Sequence, residues 1–320
     1  MQLPRKLNTQ LVTSGLDRMK RLMFLKLVRH SKYLKQTIKT KNMNFKSLFL
    51  IGLIAFVTVN CTKEKNDLFW QEACGNVKSI RTTGYEATEK FGEISEGDVL
   101  YDDEINNLIE FNKEGYITEI SNFNHSGNLS KKSIYVFDGD GKVSKINKYD
   151  AAGYEIGRTI FTYNDNQKVT KIVDYDKSGK VNFTQRNEWD GDNCTKRQFI
   201  NEYSEGNYNM YEFDGNILVK SVVYDKNGQK TGEYTEYENE KIKKIVTKDF
   251  TISLTYNDKG YCSSIVNGQL FTTNTYYWAK GESYTYDYEY DGNGNWIRKV
   301  ERKKASKKAT RIFVREIEYY

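Results

Sequence analysis

The chain has 320 residues, 29% of them charged and 14% aromatic, and a formal net charge of +6. That charge sits at the front: residues 1–42 carry 11 Lys or Arg against one acid, while residues 61–320 carry 37 bases against 42 acids. The pI therefore reflects a basic leader, which excludes a basic, nucleic-acid-binding body, and the recurrent aromatics exclude disorder for most of the chain. Pro4 is the only proline, so neither a Pro-rich linker nor a proline-broken strand follows it.

In chain order, residues 1–42 show no repeat and cluster Arg18, Lys20, Arg21, Lys26 and Arg29. They read as an extension upstream of the true start, the alternative being a basic helix lying on a membrane surface. Residues 43–60 have the layout of a signal peptide: Met43, then Lys46, then the 12-residue apolar run from Leu48 to Val59. At 1.5 Å per residue such a run falls well short of the ~30 Å of a bilayer core. Residues 61–72 open with Cys61, continue as the charged tether Thr62–Asp67, and end near Leu68-Phe69-Trp70, expected as a capping turn over the first strand.

Residues 73–320 read as β-structure throughout. Gly75 to Ala87 alternates and is rich in strand formers, with Val99-Leu100-Tyr101 expected as its partner. Aromatic anchors then recur at Phe111, Phe137, Tyr163, Trp189, Phe213, Tyr237, Tyr256 and Tyr290, at intervals of 26, 26, 26, 24, 24, 19 and 34. Each unit carries two turn signals, such as Asp138-Gly139-Asp140-Gly141 after an anchor and Tyr149-Asp150-Ala151-Ala152-Gly153 after a second aromatic. Asp accepts backbone N–H bonds there and Gly takes the left-handed position. The fold class expected is all-β: antiparallel β-hairpin repeats of about 24–26 residues in a long twisted or coiled meander. Strict alternation puts Val143 and Tyr149 on one face and Ile146 on the other, so neither face is identified as the core.

Cys61 after an apolar run resembles the lipobox of bacterial lipoproteins, with Asn60 departing from the usual Gly or Ala. That resemblance implies lipidation at Cys61. Tyr-Asp-x-x-Gly at 149–153, 175–179 and 224–228, with Tyr290-Asp291-Gly292-Asn293-Gly294-Asn295-Trp296, resembles the tyrosine–aspartate (YD) repeats of Rhs-type proteins. The opening Gly75-Asn76-Val77-Lys78-Ser79-Ile80 and the closing Glu318-Tyr319-Tyr320 are similar to YD-repeat lipoproteins of Bacteroidota. The array is shorter than a full Rhs shell and is not expected to close as one.

Site chemistry is sparse. His125 lies on a turn signal, and His30 falls in the leader, so zinc ligation and a Ser-His-Asp arrangement lack their histidines. Asp138–Gly141 and Asp291–Asn295 fail the EF-hand pattern, with Lys142 at position 5 of the first and Trp296 at position 6 of the second. No catalytic, cofactor or metal residue is assigned. Cys194 takes the place of the lysine at 142 and 168 and is expected after a turn and exposed. Lys145, Lys171 and Arg197, one period apart, are expected to align as a basic column. Arg302, Lys303, Lys304, Lys307 and Lys308 are expected to form a basic last loop, and both are candidate surfaces for an anionic envelope glycan. The leading expectation is a non-enzymatic, lipid-anchored protein of the outer membrane or cell surface, bound to the membrane through its N-terminus and to a glycan or another envelope protein, not to nucleic acid. The alternatives are an immunity or antitoxin-like hairpin module and a glycan-directed hydrolase.

Overall fold

The computed structural model describes residues 66–201, 206–270 and 276–320, with only the backbone of 276–280. The chain divides into Met1–Ser47 and Leu48–Tyr320, and the described residues all belong to the second unit. The leader, the signal-peptide segment and Cys61 lie outside the described residues.

The helix α1 (Asp67–Trp70) is followed by a hairpin of β1 (Val77–Lys90) and β2 (Glu93–Val99). Eight further hairpins follow: β3 (Asn107–Phe111) with β4 (Ile117–Phe123), β5 (Leu129–Phe137) with β6 (Val143–Asp150), β7 (Glu155–Tyr163) with β8 (Val169–Asp176), and β9 (Val181–Asp190) with β10 (Asn193–Ile200). They continue as β11 (Tyr208–Asp214) with β12 (Ile217–Tyr224), β13 (Lys230–Glu238) with β14 (Lys241–Val246), β15 (Thr251–Tyr256) with β16 (Cys262–Leu270), and β17 (Tyr276–Tyr290) with β18 (Trp296–Lys303). β19 (Ala309–Tyr319) ends the series.

Every pairing among these strands is antiparallel, as expected, but the array does not end in a free edge. Along one edge, β1 pairs Ser79–Thr82 with β3; along the other, Val77–Glu86 with β19. β1 and β3 to β19 thus close an 18-stranded barrel, which corrects the coiled meander. Closure removes the two rows of unpaired N–H and C=O groups that an open sheet would carry. β2 stays off the ring, paired with the outer half of β1 from Tyr85 to Lys90. That partner strand is Glu93–Val99, which shares Val99 with the expected Val99–Tyr101, and its Ile94 packs on Val300, Ala309 and Ile312.

Following the registers around the ring gives each residue a side. Phe137 pairs with Val143 and Tyr135 with Ile146, because a bulge absorbs one residue of β6 between Val143 and Lys145. Val143 and Ile146 therefore share the inner face and Tyr149 lies outside, which corrects the two-faced reading. A bulge turns an odd spacing into a same-side spacing. The turns themselves are as expected: Asp138 Oδ1 accepts the N–H of Asp140 at 3.0 Å and of Lys142 at 2.9 Å, and Asp150, Asp225 and Asp291 do the same. Gly141, with φ +74, takes the position where a Cβ would be strained.

Candidate functional site: the barrel interior

The eight anchors form one inward ring at a single end of the barrel, each placed just before the turn of its hairpin. Across each turn stands an apolar partner: Ile117, Val143, Val169, Cys194, Leu218, Ile242, Cys262 and Trp296. Tyr163 donates its hydroxyl hydrogen to Val143 O at 2.8 Å, and Tyr256 to Ile242 O at 2.6 Å, so the ring is tied across neighbouring hairpins. The 34-residue interval between Tyr256 and Tyr290 is taken up by β17, 15 residues long, and a register shift after Val266.

The three hairpins that start at Trp189, Phe213 and Tyr237 reach their partner in five residues instead of six. That single residue explains two corrections. Cys194 stands where Val143 and Val169 stand, on the inner face, and is fully buried rather than exposed. Arg197 falls at the position of Ile146 and Ile172, inside the barrel and 2% exposed, with its guanidinium 5.4 Å from the Tyr211 ring. Lys196 takes the outward place and pairs with Glu188 at 2.8 Å. Lys145 and Lys171 remain outside on alternate strands, so the expected column loses its third member.

The last basic run is split in the same way. Arg302 lies outside against Asp287 at 2.8 Å, and Lys303 lies inside against Glu282. Lys304, Lys307 and Lys308 are exposed together in the β18–β19 turn. Lys299 and Arg311 point inward. Lys299 is 2% exposed, 4.9 Å above Trp296 and 4.5 Å from Phe313, and burial pushes its ammonium down to about 8. Arg315, 4% exposed, lies 3.6 Å over Trp296, and its Nε and Nη1 have no hydrogen-bond partner. Arg311 pairs with the fully buried Glu301, which also accepts from Gln269 at 2.8 Å and Tyr286 at 3.2 Å. Strand parity counted from the Tyr290–Trp296 pair turns both inward.

The segment ahead of β1 closes part of the anchor end. Leu68 packs on Val77, Ile80, Ile109, Phe111 and Ile117, and Asp67 accepts the N–H of Ile117 at 2.8 Å. Leu68 thus serves as the expected cap. Burial raises the Asp67 carboxyl, and it raises the Tyr163 hydroxyl to about 12, with the charges of Asp138 and Asp67 adding to it. Glu72 accepts the Trp296 indole N–H at 3.1 Å and is the carboxylate whose field acts on both Lys299 and Arg315. Cys74 is exposed while Cys194 and Cys262 are buried.

From β5 to β8 the inner wall changes character along the barrel axis. The anchor end carries Phe137, Val143, Tyr163 and Val169, and the next layer Tyr135, Ile146, Phe161 and Ile172. Above them come Ser133 with Lys148, then Thr159 with Asp174, and at the far end Lys131, Asp150 and Asp176. Lys148 pairs with Asp174, which also accepts from Thr159 at 2.6 Å. Most of the apolar residues in these layers are only half-buried, in keeping with a ring of eighteen strands, which encloses more space than its side chains fill. His125 is exposed on its turn with its ring 4.3 Å from that of Tyr101, and no group of three metal-ligating side chains occurs among the described residues.

No protein-family model and no curated protein matches the chain. Among solved structures it is similar to a porin-like protein from Bacteroides uniformis, with 12% identity, 76% of this chain and 96% of that chain covered, and a TM-score of 0.39.

Proposed function

We propose that the protein is a non-catalytic binding protein of the cell envelope, lipid-anchored through Cys61, with its barrel standing in water at the outer membrane or cell surface. The observation that carries this reading is the polarity of the two faces. Outward positions hold Glu119, Lys171, Arg186, Glu188, Glu236 and Asp287 on β4, β8, β9, β13 and β17, and the outward Val300, Ala309 and Ile312 are packed against Ile94 of β2, while the anchors and their partners turn inward. A charge on the lipid face of a transmembrane barrel costs up to about 2–4 kcal/mol at the midplane, so an outside of this kind belongs in water. A separate device must then hold the barrel to a membrane, and the Met43–Cys61 pattern supplies one. The tether from Cys61 to α1 is short and would leave from the anchor end. Buried carboxylates such as Glu301 and Asp174 are taken up by arginine, lysine and hydroxyl partners, which favours scaffold over catalysis.

Cys61→Ala tests the anchor. The variant is expected to move from the membrane to the soluble fraction and to lose incorporation of labelled palmitate; a variant that stays acylated and membrane-bound would overturn the reading.

A further inference from the structure

We infer that the lumen beside β5 to β8 holds the aliphatic tail of an amphiphile, with the tail among the aromatic layers of the anchor end and the polar head at the far end. Three observations lead there. The lowest two layers are apolar and, Ile172 apart, half-buried, a surface left partly in water that an apolar chain would cover. The wall polarity is graded: Phe137, Tyr163 and Phe161 give way to Lys148, Asp174 and then Lys131 along the axis. A uniformly apolar guest would leave the polar layer unmatched, and a polar guest would leave the aromatic layers wet. The third observation separates a lipid tail from a peptide. Each of these strands has a partner on both sides, so the wall presents no free ladder for an added strand. A peptide backbone drawn into the lower layers would lose its hydrogen bonds to water without replacement, whereas an acyl chain has none to lose. Because α1 packs over part of the anchor end, the guest enters tail first from the far end.

The test uses the purified full chain with N-phenyl-1-naphthylamine as a fluorescent probe and palmitate as the competitor. The probe is expected to brighten on binding, and palmitate to displace it more strongly than octanoate does. Ile146→Trp, which fills the lumen while keeping the wall apolar, is expected to weaken palmitate by about tenfold, the worth of roughly two buried methylenes. Phe161→Glu is expected to abolish binding, and if it fails to fold, Ile146→Trp alone decides. Val136→Glu, on the outer face, is expected to bind as wild type does. The inference is overturned if palmitate fails to displace the probe, if the inner and outer variants behave alike, or if an apolar peptide competes as well as palmitate. Because nothing in this measurement depends on acylation, its failure and that of the Cys61 anchor are distinguishable.

Discussion

Lys299 and Arg315 are the residues whose surroundings differ most from their sequence context. Both are cations on strands near the chain end, yet each is buried against Trp296, with the Glu72 carboxylate acting on both. Because burial lowers the Lys299 ammonium from 10.5 to about 8, the folded protein sheds that proton across this window while the unfolded chain keeps it. More protons bound by the unfolded state means that this group's contribution to stability rises with pH there. Lys299→Met should therefore be more stable than wild type at pH 7 and lose that advantage as the pH approaches 10.5, read as the difference between the two thermal midpoints. Cys262 shows the same burial from the other side: its thiol is pushed up to about 12, so it should resist a thiol reagent at pH 8 that labels the exposed Cys74.

At the scale of hairpins, spacing controls everything. The Asp-x-x-Gly turns were legible because their chemistry is local: the carboxylate, the N–H groups it accepts and the left-handed glycine lie within five residues. Their energetic weight is not uniform. Asp138 accepts from its own turn only, whereas Asp291 also accepts the Tyr319 hydroxyl from β19. Asp138→Ala is expected to cost about 1 kcal/mol, and Asp291→Ala more than Asp138→Ala in the same denaturant series. The bulges were not legible, since they arise where a turn residue must be accommodated across two strands. One residue fewer in the turn after Trp189 was enough to send Cys194 and Arg197 inward, and no composition signal marks that change.

At the scale of the molecule, β1 and β19 decide the architecture. Removing Ala309–Tyr320 would open the ring and leave the edges of β1 and β18 unpaired. The truncated protein is expected to self-associate on size exclusion and to lose a single cooperative unfolding transition, while wild type shows neither. Closure also explains why the chain can afford half-buried aromatics: they face a lumen rather than a neighbouring sheet.

The sequence alone determined the strand character, the turn positions, the period and the aromatic at the end of each unit, because these depend on residues within one hairpin. It also carries the apolar run and cysteine that motivate the anchor. Tertiary structure decided which face is inside, that the array closes, and that Arg197, Lys299 and Arg311 are not surface charges. Those outcomes depend on register carried from strand to strand around eighteen neighbours and returned to β1, a distance over which one unnoticed bulge reverses every assignment that follows.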